Sequence, residues 1–180
     1  MPNNQRQKPL EFRREEVSYI MQRWVASDSC SLVGVGSVGK SNLLRHLTND
    51  NVQKAYLNIS DSNEFSTIVI DPNLLGPLPA LQSEHAEQFR CWAGYEILMH
   101  RLFMNFYPFD GRAGLDTKHG KRFYEIYKEL QNGNNPLYAY MGIRYFELGL
   151  QIILSQGIRI VFMFDEFERM LLHLPPVFFQ

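Results

Sequence analysis

A chain of 180 residues with 45% hydrophobic and 21% charged side chains has enough apolar material for one folded domain with a core. Its formal net charge of −1 argues against a protein that holds nucleic acid or a membrane surface by bulk electrostatics. No apolar run reaches the length of a membrane span.

Residues 1–10, MPNNQRQKPL, are polar, lack the apolar core of a signal peptide and read as a disordered leader. Phe12-Arg13-Arg14-Glu15-Glu16 reads on its own as a charged helix start. From Glu15 to Ala26 the apolar residues Val17, Ile20, Met21 and Trp24 fall on one helical face. Ser27-Asp28-Ser29 breaks that helix, and Cys30-Ser31-Leu32-Val33 reads as a short buried strand. Cys30 and Cys91 are the only cysteines and have no metal-ligand spacing. Two isolated thiols fit a reducing compartment, and the expected location is the cytoplasm.

Gly34-Val35-Gly36-Ser37-Val38-Gly39-Lys40-Ser41 matches G-x-x-x-x-G-K-[ST], the phosphate-binding P-loop pattern. Glycine allows the tight backbone turn that brings N–H groups to phosphate oxygens. Lys40 has the reach for the β- and γ-phosphates, and the Ser41 hydroxyl can ligate Mg²⁺. A helix opening at about Gly39 would add its N-terminal amides and dipole. Leu43, Leu44 and Leu47 follow at helical spacing. Gly34 to Asn42 is therefore the expected nucleotide-binding segment. Gly34, Gly36 and Gly39 also fit G-x-G-x-x-G, with Asp71 as the acid that a dinucleotide site wants, but that reading leaves Lys40-Ser41 unexplained.

Asp50-Asn51-Val52-Gln53 has capping-box spacing and predicts a helix over 51–57, with a strand over 55–59 as the alternative. A polar loop at 60–64 precedes Phe65 to Ile70, apolar and β-branched, which predicts a strand. Pro77 and Pro79 make 74–82 irregular. Ser83 then caps a long helix that runs to about Tyr107, with Phe89, Trp92, Tyr95, Leu98, Met99, Leu102, Phe103 and Phe106 as its core stripe. A loop with three glycines follows at 109–120. Further helices are predicted over 121–131 and 137–155, separated by the breaker Asn132-Gly133-Asn134-Asn135-Pro136.

Ile158 to Phe164 is nearly continuous apolar sequence and predicts a buried parallel strand. It ends in Asp165-Glu166. In open α/β sheets, ligands bind beyond the carboxyl ends of the strands. This is a Walker B pattern, in which Asp165 would hold Mg²⁺ through its water shell and Glu166 would orient or deprotonate an attacking water. Read as packing alone, the two acids mark a helix N-terminus. Glu168 and Arg169 read as surface charges. The five histidines form no helical metal-binding pair, and no nucleophile elbow is present.

GVGSVGKSNLL followed far downstream by RIVFMFDEFERM resembles the P-loop NTPases that carry an additional catalytic Glu, the AAA+ and STAND branch. The likeness extends to Phe12, Arg14 and Glu15, which resemble the short box that lies beside the adenine in those families. The resemblance implies an α/β fold: a three-layer P-loop core with a parallel sheet, and a large helical insertion over about 83–156 between the second strand and the Walker B strand. It implies one such domain over 11–180, with ATP and Mg²⁺ as ligands, Lys40 and Glu166 in catalysis, and Ser41 and Asp165 at the metal. The expected function is a nucleotide-dependent signalling switch, with weak or absent hydrolysis in this chain alone. The alternative is a DNA-associated initiator or transposition-type ATPase, which the near-neutral charge does not support. A P-loop phosphotransferase ranks lower, because Glu166 beside Asp165 suits water as the acceptor. A remnant that keeps the motifs without the activity is the remaining reading. Gln180 comes fifteen residues after Asp165. On the family pattern that leaves out the sensor strand, the lid and the arginine finger, so a truncated form is expected, with partners or self-association carried by the missing region.

Overall fold

Apolar residues spaced three and four apart settle most of the helices, and those helices make up most of the described residues. The computed structural model describes residues 8–35, 38–57, 65–107, 117–132 and 141–179. Among them are seven α-helices and two strands. The chain divides into two compact units, Met1–Thr67 and Ile68–Gln180.

In the first unit, α1 (Arg14–Val25) buries Val17, Ile20, Met21 and Trp24, the stripe expected from a 3.6-residue period. α2 (Lys40–Leu47) buries Leu43, His46 and Leu47. α3 (Asp50–Leu57) buries Val52, Gln53 and Leu57 and packs against both α1 and α2. Its cap is Asn49, one residue before the expected Asp50. The Asn49 side chain accepts from the Asn51 N–H at 2.9 Å. The buried Gln53 amide donates to the Leu47 carbonyl at 2.8 Å and to the Thr67 hydroxyl at 3.1 Å, so its desolvation is offset.

The second unit is built on α4 (Ala86–Phe106), α5 (Lys118–Gln131) and α6 (Gly142–Leu154), which pack on one another. Met99, Leu102, Phe103, Phe123, Leu130 and Ile153 fill the space between them with at most 1% exposure. The approach of α6 is close. A Cβ at Gly149 would lie 2.6 Å from Met99 Cε and 3.1 Å from Phe123 Cε2. Strand β1 (Phe65–Ile70) starts at the end of the first unit and finishes in the second. It pairs in parallel with β2 (Arg159–Phe164), and the Arg101 guanidinium on α4 donates to Val69 O at 3.0 Å. A 3-10 turn (Pro72–Leu75) follows β1; α7 (Phe167–His173) and a 3-10 turn (Pro176–Phe179) follow β2. Arg90, buried on α4, donates to Pro79 O and His173 O, both at 2.7 Å.

The expected three-layer P-loop core is not what the chain forms. The described residues are mostly helical and carry a sheet of only two strands. The helices between β1 and β2 are the body of the second unit, not an insertion into a wider sheet. Cys30 to Val33, expected as a buried strand, has no regular structure, and Val33 is 96% exposed. A four-residue apolar run gains strand geometry only from a neighbouring strand, and none pairs with it. β2 is a strand as expected, but only Met163 in it is fully buried. α4 starts at Ala86 instead of Ser83, because His85 takes a left-handed backbone (φ 62) that no helix continues through. The expectations for 1–7, 58–64, 108–116 and 133–140 lie outside the described residues.

Candidate functional site

The turn into α2 is made by Gly39, whose φ of 81 is a left-handed conformation that glycine adopts without steric cost. The helix begins at the next residue, Lys40, as the motif requires. Lys40 Nζ folds back over the loop and donates to Gly34 O at 2.7 Å and Val35 O at 3.4 Å. Lys40 and Gly39 are half-buried, whereas Gly34, Val35, Val38, Ser41 and Asn42 are exposed. Ser41 and Asn42 stand in the first turn of α2. Gly36 and Ser37, also expected in the site, lie outside the described residues.

The segment before α1 lies against this loop and helix. The Phe12 ring meets His46 of α2 edge-on, with centroids 5.3 Å apart. Tyr56 Oη donates to Leu10 O at 2.9 Å. The Arg13 guanidinium donates to Val38 O at 2.5 Å. His46 is 5% exposed, and burial holds its pKa below the ordinary value, against a hydrogen bond with the Leu10 backbone. Of the box singled out from sequence, Phe12 therefore touches α2. Glu15 instead lines an open depression of about 240 Å³ with Glu16, Tyr19, Ile20 and Leu32. The residue that reaches the loop is Arg13, which sequence reasoning passed over. Its signal was a second cation inside the box.

Asp165 and Glu166 stand at the carboxyl end of β2, as expected. The Asp165 N–H extends the parallel ladder to Ile70 O at 3.1 Å, and its Oδ1 accepts from the Glu166 N–H at 3.1 Å. Glu166 has a left-handed backbone (φ 49) and opens α7. Its carboxylate pairs with Arg169 Nε at 2.8 Å. Arg169 also donates to the Asn73 side chain, whose N–H and amide both donate to Asp71 Oδ1 at 2.9 and 2.8 Å. Arg169 is exposed, as expected of a surface charge, and is also the centre of a polar chain joining the tips of both strands. Nothing in the sequence spacing links positions 73 and 169, because the parallel pairing creates their neighbourhood. No group of three or more His, Cys, Asp or Glu side chains that could hold a metal exists among the described residues. No helix among them is long and apolar enough to cross a membrane.

No protein-family model matches the chain, and neither a curated protein nor a solved structure matches it.

Proposed function

We propose that the chain binds Mg·ATP through Gly34 to Asn42 and works as a nucleotide-dependent switch of the P-loop NTPase kind, with little or no hydrolysis of its own. The observation that carries this reading is the junction of loop and helix. Gly39 makes the left-handed turn, α2 opens at Lys40, and the Lys40 ammonium bends back onto the loop carbonyls. Those are the elements a triphosphate requires: helix N-terminal amides for the anion and a movable cation for its outer phosphates. Mg²⁺ commonly takes one or two protein oxygens and draws its remaining ligands from phosphate and water. The Ser41 hydroxyl suits that small demand. The absence of a guanine-specifying Asn-Lys-x-Asp run favours ATP over GTP.

The weak-hydrolysis part of the proposal rests on the second unit alone. Glu166, the residue expected to activate water, is committed to Arg169. The pair engages one of the two carboxylate oxygens and competes there with an attacking water. A switch of this kind acts on a partner protein or a second copy, and we assign it to the cytoplasm.

Thermal unfolding tests the binding. Saturating Mg·ATP at about 100 times Kd stabilises the folded chain by about 2.7 kcal/mol, and Lys40→Ala removes most of that shift. A wild-type Tm that does not move with Mg·ATP contradicts the proposal. Salt-sensitive retention on DNA would favour the DNA-associated alternative instead.

A further inference from the structure

Arg13 is the residue before α1, and its backbone is left-handed (φ 52), a conformation that costs any L-residue with a Cβ. A glycine would occupy it freely. Such an outlier points to work done by the side chain. The guanidinium donates to Val38 O, 25 positions away in sequence, at the last turn before the P-loop helix. Phe12 against His46 and Tyr56 on Leu10 O fix the segment that presents it.

A peptide group is planar and trans, so its C=O and the following N–H point in opposite directions. Holding the Val38 carbonyl therefore fixes the direction of the Gly39 N–H. Lys40 does the same for the peptide that joins Gly34 to Val35, through its contact with Gly34 O. Arg13 thus draws the Val38 carbonyl to itself and turns the Gly39 amide the other way. At the start of α2 an anion therefore meets the Gly39 N–H in place of the Val38 carbonyl oxygen, which would repel it.

We infer that Arg13 is a positioning residue for the phosphate chain, a latch on the Val38 carbonyl that presets the Gly39 amide at the start of α2. The inference rests on the nucleotide-binding reading and deepens it. Lys40 leaves its carbonyls to meet the phosphates, whereas Arg13 keeps its hold in both states. The contribution is therefore specific to the polyphosphate part of the ligand.

Calorimetric titration with Mg·ATP and with inorganic tripolyphosphate, beside thermal unfolding without ligand, tests it in the full chain. Arg13→Gly removes the guanidinium and relieves the left-handed backbone. The expected result is an affinity about tenfold lower for both ligands, the scale of one hydrogen bond from a charged group, with Tm unchanged or raised. Arg13→Lys, which retains a cationic donor, recovers part of the affinity. Wild-type affinity in Arg13→Gly overturns the latch while leaving the nucleotide reading intact, provided Lys40→Ala still loses binding. A lowered Tm in Arg13→Gly, with no recovery of affinity in Arg13→Lys, makes the residue merely structural and also overturns the latch. No binding by the wild-type chain overturns both.

Discussion

At the scale of the residue, the second unit is organised by aromatic side chains more than by charge. Phe103 is completely buried and lies against Phe123 and Tyr127, with ring centroids 6.4 and 5.3 Å away. Phe103→Ala empties a ring-sized volume in a close-packed interior, and the expected loss is about 3–5 kcal/mol, read as a lower urea midpoint. Tyr127 carries a polar duty as well. Its hydroxyl donates to Glu96 Oε1 at 3.0 Å and lies 2.8 Å from His100 Nδ1. Burial first, then the charge of Glu96 and the hydrogen bond to it, push the Tyr127 pKa far above the ordinary 10. Burial likewise raises Tyr95 and Tyr107. The folded phenols therefore hold their protons more tightly than the unfolded ones. Their contribution is complete below pH 10 and is lost as pH rises through and beyond that value. Unfolding midpoints measured from about pH 8 to 11 should fall at the alkaline end, and Tyr127→Phe should flatten the fall. An equally steep decline in the variant would contradict this.

At the scale of the element, what could be read in advance followed from periodicity, and what could not followed from pairing. α1 and α2 carry their buried positions at helical spacing and α3 is announced by capping-box spacing, and all three begin within a residue or so of what the sequence predicts. β1 and β2 announce themselves by β-branched and aromatic content, which local chemistry favours in strands. The run Cys30 to Val33 is poorer in such residues, with Val33 alone β-branched, and is no strand. Composition makes a segment competent for a sheet, but a pairing partner has to be supplied by the rest of the chain. The candidate site divides the same way. Gly39, Lys40 and their helix are a local motif and could be read directly. Arg13 on Val38 and Arg169 between Glu166 and Asn73 are products of tertiary placement, with no spacing rule to reveal them. Local capping also has a measurable consequence. The Thr117 side chain accepts from the Gly120 N–H at 2.9 Å and starts α5. Thr117→Ala should cost about 1 kcal/mol in chemical denaturation, with Thr117→Ser close to the parent. Equal stability of parent and Thr117→Ala would show that the cap is not what starts the helix.

At the scale of the whole molecule, the two units divide the expected chemistry between them. The first holds Gly34 to Asn42 and Arg13; the second holds Asp165 and Glu166. Nucleotide binding is a claim about the first unit, since its loop, helix terminus and two cations are all contributed there. Hydrolysis is a claim about the second, where the ion pair between Glu166 and Arg169 argues for slow turnover. A net charge of −1 gives no long-range field to gather anions, so affinity for a triphosphate has to arise at the loop itself. That makes Lys40 the decisive side chain. The most direct measurement is an equilibrium titration of the full chain with Mg·ATP, wild type against Lys40→Ala. The account predicts saturable binding by the wild type and an affinity at least about tenfold weaker in the variant, as expected when a charge-assisted contact to phosphate is removed. Equal affinity in the two chains, or no binding by either, would contradict it.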